Sequence, residues 1–340
     1  MVWMYGWWRR GGLRNIDTPA SLARWWRLRI IVLCACTALA GARAFATPAR
    51  GLEARGSQAP EKTRTVRVTV LENGAGVPGL TAADFEVKED GSARTVLNAE
   101  PAVEPLSIAV LLDDKGSDIN EIRSALTSFA ARVQARAEVS LTTVVPAIAT
   151  VFDYTSSRPA MLAGIQRLVW RAGPAGGLLL GAIADAAEGL HHREAARPAI
   201  VVITFEGEEF RSHRPAATVL AALARSRASL HVVAVGTPTL RKMNRAVVES
   251  GDPQGDEWTI DQTNRNAVLG DGPKQSGGRR HELTAASGLT AALAAVAADL
   301  INQYTVVYAA ASGAKSARKL GVSVKRRGVT VRAPARIASD

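Results

Sequence analysis

Residues with chemical potential gather first at Asp113-Asp114-Lys115-Gly116-Ser117, directly after the apolar run Leu106 to Leu112. An apolar strand that ends in acids, Gly and Ser delivers a polar loop to the C-terminal edge of a sheet, where open α/β folds place their ligands. The competing reading is plainer: Asp113 and Asp114 are acids favoured by the dipole of the helix that follows. Glu206, Glu208 and Glu209 invite comparison with a hydrolase carboxylate pair, although a solvated loop explains them more simply. His191-His192 with Glu194 is not the His-Glu-x-x-His arrangement of a zinc site and falls at a helix end. Ser276-Gly277-Gly278-Arg279-Arg280 could hold an anion through backbone and guanidinium groups; a basic surface loop is the alternative. No Gly-x-Ser-x-Gly elbow places a nucleophilic Ser, and Gly313-Ala314-Lys315-Ser316 lacks the upstream Gly of a phosphate loop.

The elements that must position these groups alternate. After strand 106–112, apolar residues at Ile122, Leu126, Phe129 and Val133 predict a helix over 119–136. Strands are expected near 138–145, 149–153, 199–204, 230–235 and 304–308, with helices near 158–169, 178–190, 215–227 and 287–303. Strands alternating with helices imply a doubly wound, mainly parallel sheet. Gly236 to Arg280 breaks the rhythm with seven glycines and reads as a long loop, functional or mobile. Ahead of this body, Val66, Val68 and Val70 alternate with Arg67 and Thr69, and Asp90-Gly91 marks a hairpin. A terminal hairpin at 320–331 turns at Arg326-Arg327-Gly328. The N-terminal strands and this hairpin are expected to pair into one small sheet, since neither is long enough alone.

Composition narrows the classes. The first 46 residues hold seven Arg and one Asp, so +6 of the net +11 sits there and +5 remains. No Lys/Arg run is interleaved with aromatics, so nucleic acid is not an expected partner. Arg24, Arg27 and Arg29, an apolar run from Ile30 to Ala42 and Ala44-Phe45-Ala46 follow the order of a secretory signal peptide. Cleavage after Ala46 is expected, with no membrane insertion thereafter; an uncleaved N-terminal anchor is the alternative. Cys34 and Cys36 are the chain's two cysteines, so the mature chain has no thiolate chemistry and no Cys-based zinc site.

From 64 to 336 the chain resembles the von Willebrand factor type A-related proteins secreted by bacteria. The resemblance rests on Val77-Pro78-Gly79-Leu80-Thr81-Ala82-Ala83-Asp84-Phe85-Glu86-Val87-Lys88-Glu89-Asp90-Gly91, on the strands ending at Asp113 and Thr204, and on Asn302-Gln303-Tyr304-Thr305-Val306-Val307-Tyr308. It implies a three-layer α/β/α fold and a metal-ion-dependent adhesion site, built from an Asp-x-Ser-x-Ser loop, a Thr and an Asp around Mg²⁺. Carried onto this chain, the first loop gives Asp113, Lys115 and Ser117, with Lys in place of the first Ser. Leu178, after Gly176-Gly177, stands where the Thr is expected. Phe205 or Glu206 stands where the Asp is expected. An ammonium beside a divalent ion is strongly repelled, so Lys115 is expected to pair with Asp113 or Glu206 and to take the metal's place.

The reading is a signal peptide over 1–46, a linker over 47–62, an N-terminal β segment over 63–104, a von Willebrand A-like domain over 105–311 with loop 236–280, and a C-terminal hairpin and tail over 312–340. It is expected to be a non-catalytic, extracytoplasmic protein-binding module without a cofactor, Mg²⁺ being disfavoured. The contact rim would carry Asp113, Asp114, Lys115, Ser117, Gly176, Gly177, Phe205, Glu206 and Glu208. The alternatives are a Mg²⁺-dependent adhesion protein and a hydrolase, the latter requiring turnover that Glu206→Gln or Asp113→Asn abolishes.

Overall fold

The computed structural model describes residues 62–113, 118–169, 177–206, 214–237, 242, 246, 257–310 and 318–337. In chain order the strands and helices are β1 (Thr63–Glu72), β2 (Ala75–Gly76), β3 (Phe85–Glu89), β4 (Ser92–Arg94), β5 (Val96–Pro101), β6 (Leu106–Asp113), α1 (Ile119–Val133), β7 (Ala137–Thr143) and β8 (Ala149–Thr155). There follow α2 (Arg158–Gln166), α3 (Leu178–His192), β9 (Arg197–Phe205), α4 (Ala216–Ser226), β10 (Ser229–Val235), α5 (Glu257–Arg265), a π-helical turn (Asn266–Asp271) and α6 (Gly272–Ser276). The chain then runs through β11 (Arg280–Leu283), α7 (Leu289–Ile301), β12 (Gln303–Ala309), β13 (Arg318–Val324), β14 (Thr330–Arg332) and β15 (Arg336–Ile337).

The central sheet has the order β11-β10-β9-β6-β7-β8. Its pairings are parallel except for β8, which runs antiparallel to β7 at the edge. The alternation of β6 explains its two coats. Leu106, Ile108, Val110 and Leu112 pack with α1, α2 and α7 on one face. Ala109 and Leu111 pack with α3, α4 and the π turn on the other. Every residue of β6 is buried, as expected of a strand covered on both sides. The result is a three-layer α/β/α body, although the chain as a whole is mixed, because the two remaining sheets are antiparallel throughout.

Those two sheets correct the expectation of a single one. β1 pairs with β12 on one side and β14 on the other, and β5 closes the sheet beyond β12. Separately, β13 pairs with β3 and β15, and β3 with β4. Val66, Val68, Val70, Phe85, Val87, Tyr304, Val306 and Tyr308 form an apolar cluster in this β unit. Strand 303–309 therefore belongs to this unit rather than to the central sheet: only Asn302 separates it from α7, so the chain passes directly across.

The stretch read as loop 236–280 is also corrected within its described part. From 257 onward it forms α5, the π turn, α6 and the first residue of β11. Gly278 explains how it docks, since a Cβ there would overlap the backbone of Leu230 in β10. Only glycine allows that approach.

At this edge His231 of β10 is buried and its ring nitrogens make no hydrogen bond. Burial pushes its pKa down to about 3, assisted by His281, Arg332 and Arg279. His281 on β11 is pushed down to about 4 by burial and by the same two arginines. Both values lie below the ordinary histidine value, so the unfolded chain takes up protons first and stability is lost as pH falls from about 6.5 toward 4. For His231 that loss reaches about 3 kcal/mol by pH 4, at about 1.4 kcal/mol per unit. Denaturant unfolding between pH 7 and pH 4 should show a shallower fall for His231→Leu than for the parent; equal slopes would show that these rings are not the titrating groups.

Candidate functional site

β6 lies between β9 and β7, with α1 on one face and α3 on the other, so the strand order reverses at the C-terminal ends of β6 and β9. Such a switch point is where doubly wound sheets bind ligands. The register sets Asp113 opposite Thr204 there. The Thr204 hydroxyl donates to Asp113 Oδ2 at 2.7 Å. Both residues are buried, Asp113 being 4% exposed.

The cation at this point comes from an unexpected place. Arg265, the last residue of α5, is 6% exposed, and its Nη2 donates to the Thr204 hydroxyl at 3.3 Å. Burial pushes its pKa down to about 10, while the charges of Asp113 and Glu206 hold it up and Arg280 opposes them. The guanidinium stays protonated at neutral pH, buried within reach of the charges of two carboxylates. Lys115, expected in that role, lies outside the described residues, as do Asp114, Ser117, Gly176 and Glu208.

Glu206 follows β9 and is fixed from the neighbouring strands. Its backbone N–H donates to Val235 O at 2.7 Å, and its carboxylate meets Arg280 of β11 at 2.7 Å, with only 4% of the side chain exposed. Arg280 also meets Glu282 at 3.1 Å and donates to Leu269 O at 3.2 Å. Gly236 makes room for this arrangement, because a Cβ there would strike the Glu206 carboxylate. Asp113, Thr204, Glu206, Arg265 and Arg280 thus form one buried polar cluster. Buried charges persist only when paired and hydrogen-bonded in this way.

The described donors do not fit a divalent ion. Mg²⁺ requires near-octahedral oxygen ligands, whereas Leu178 offers a hydrocarbon side chain and Thr204 is engaged by a guanidinium. Among the described residues no group of three or more His, Cys, Asp and Glu is arranged to hold a metal. Phe205 is buried in the core with α1 and α7, so with Asp113 and Glu206 it leaves the proposed contact rim. Gly177 and Leu178, at the start of α3, are half-buried. His191 and His192 end α3 as exposed side chains. Arg265 and Arg280 lie in the segment read as loop, where the Gly- and Pro-free stretch 257–269 was the signal for a helix.

No protein-family model matches the chain, and no curated protein matches it. Among solved structures it is similar to a von Willebrand factor type A protein from Catenulispora acidiphila, at 10% identity over 83% of this chain and 75% of that one, with a TM-score of 0.42. It is also similar to an aerotolerance-related membrane protein from Bacteroides fragilis, at 15% identity over 58% and 98% of the two chains, with a TM-score of 0.39. A third is the conserved hypothetical protein BatB from Bacteroides thetaiotaomicron, at 14% identity over 56% and 95%, with a TM-score of 0.35. With TM-scores below 0.5, strand order and layering define this architecture, not these likenesses. Among the described residues no helix is long and apolar enough to cross a membrane.

Proposed function

We propose that the chain is a von Willebrand A-like protein-binding module, secreted through its N-terminal leader, that works without metal and without catalysis. The observation that carries this reading is the buried guanidinium of Arg265 on the Thr204–Asp113 pair. An internal cation there neutralises the site's acids without an exchangeable ion, so partner binding has no need of Mg²⁺. The same burial argues against a hydrolase, because Asp113 and Glu206 are paired and shielded where a substrate would have to reach them. Contact with a partner then falls to the loops that follow β6 and β9 and precede α3.

The test is capture of protein partners by the full chain in EDTA and in Mg²⁺, alongside calorimetric titration with Mg²⁺ and Mn²⁺. Equal capture in both buffers, lost on Lys115→Glu combined with Glu208→Lys, and titrations without a binding isotherm are expected. Capture abolished by EDTA, or a micromolar metal endpoint, would overturn the reading.

A further inference from the structure

The opposite edge of the central sheet holds a separate cleft. Arg197 opens β9 and pairs in register with Leu106, while Arg136 immediately precedes β7. Where these strand starts meet the β unit there is a cavity of about 370 Å³, within the range of small-molecule sites. Val77, Pro78, Pro101 and Val103 form apolar walls, and Val103 is 87% exposed, an apolar side chain facing water without packing.

The polar side of the cleft is built. Arg197 is buried and donates through Nη1 to the carbonyls of Ala102 and Glu104 at 3.1 and 3.0 Å. Its Nη2 donates to Leu300 O at 2.6 Å and to Gln303 Oε1 at 3.1 Å. That last bond fixes the Gln303 amide with its oxygen toward Arg197, leaving the NH₂ group to face away. Arg197 Nε is buried without a partner. Arg136 spends one N–H on Ile301 O at 3.2 Å and is otherwise exposed. Arg67 stands nearby in an ion pair with Glu104 at 2.9 Å. Arg67 thus pairs with the Glu104 carboxylate, whose charge also acts on Arg197, whereas the bond given for Arg136 is to a backbone carbonyl. Burial, and the repulsion of Arg67 and Arg136, push the pKa of Arg197 down to about 10, so the local positive potential is only partly relieved.

We propose that this cleft binds a carboxylate carried on a small apolar body. The Gln303 amide and the Arg136 guanidinium supply planar N–H donors that suit a carboxylate. Arg197 adds charge from beneath, and the proline and valine walls take the apolar part. Free carboxylic acids and the C-terminal residue of a peptide share this chemistry. The site is independent of the Asp113 cluster and of whether partners bind there.

Two substitutions isolate the cleft. Arg136→Ala removes an exposed side chain, and Gln303→Glu keeps the acceptor that Arg197 requires while replacing the donor by a negative charge. The probes are N-acetyl-leucine, its amide, and a tetrapeptide ending in leucine with a free or amidated C-terminus, titrated into the full chain by calorimetry. The acids should bind at least tenfold more tightly than the amides, and each variant should lose at least tenfold for the acids with the melting temperature kept. A tetrapeptide tighter than N-acetyl-leucine identifies a peptide terminus as the source; equal affinity identifies a free acid. Amides binding as well as acids, no binding by any probe, or variants that keep parental affinity would overturn the proposal.

Discussion

Replacing Arg265 with methionine should lower the unfolding free energy by about 3–5 kcal/mol, the usual cost of removing one partner from a buried charge cluster. For a body of this size that corresponds to a fall in Tm of roughly 10 °C. The cause is electrostatic rather than steric, since methionine fills much of the same volume. Asp113, 4% exposed, would retain the Thr204 hydroxyl but lose the guanidinium beside it. Glu206 would retain Arg280. Three further measurements separate this from simple loss of packing. Arg265→Lys should fall between parent and methionine variant, because an ammonium keeps the charge without the planar fork. Combining Arg265→Met with Asp113→Asn should recover at least half the loss, since the pair then leaves no unmatched charge. Mg²⁺ added to Arg265→Met should restore nothing, because Leu178 supplies no oxygen. A parental Tm in Arg265→Met, or rescue by Mg²⁺, would show that the acids at this switch point are neutralised by something else.

Much of the central body is legible because β6 to β10 announce themselves locally, whereas the four-residue β11 does not. The uninterrupted run at 106–112 and the polar break at Asp113 place β6 within one residue of its observed end. The periodicity of Ile122, Leu126, Phe129 and Val133 identifies α1, whose buried face carries those four side chains. What was not legible depends on partners distant in sequence. Strand 303–309 alternates in a way that suits either sheet; its place beside β1 is set by registers such as Val68↔Tyr304, which no local pattern encodes. The cluster at the switch point fails for a related reason. Arg265 reaches Thr204 across 61 positions and Arg280 reaches Glu206 across 74. Counting glycines between 236 and 280 gave weight to the loop and hid the helix that carries Arg265. A positive charge close to Asp113 is expected of Lys115, which lies outside the described residues. That Arg265 supplies one there is encoded by no local pattern.

The second large effect is expected in the β unit, where Glu89 is fully buried at the end of β3. Its carboxylate meets Arg64 of β1 at 2.7 Å and Arg94 of β4 at 3.4 Å. The Tyr308 hydroxyl of β12 donates to the same carboxylate at 3.4 Å. β3 and β4 belong to one sheet, β1 and β12 to the other, so this one carboxylate ties the two together. Glu89→Ala should cost about 3–5 kcal/mol, because Arg64 stays buried after its described counter-charge is gone. Glu89→Gln should cost less, since the amide oxygen can still accept one bond. Hydrogen exchange distinguishes a local role from a global one: amides of β1, β3, β12 and β13 should lose protection before those of β6, β9 and β10. Tyr308 gives an independent optical readout. Burial first, and then the Glu89 charge, push its pKa up to about 12; in Glu89→Gln the second cause is gone, and its ultraviolet titration should move to lower pH. Combining Glu89→Leu with Arg64→Met replaces an ion pair by apolar contacts and should recover most of the loss. If Glu89→Ala unfolds within about 0.5 kcal/mol of the parent, as an ordinary surface change would, the two sheets are held by their apolar cluster alone, and the ion pair is an accompaniment to the packing rather than its cause.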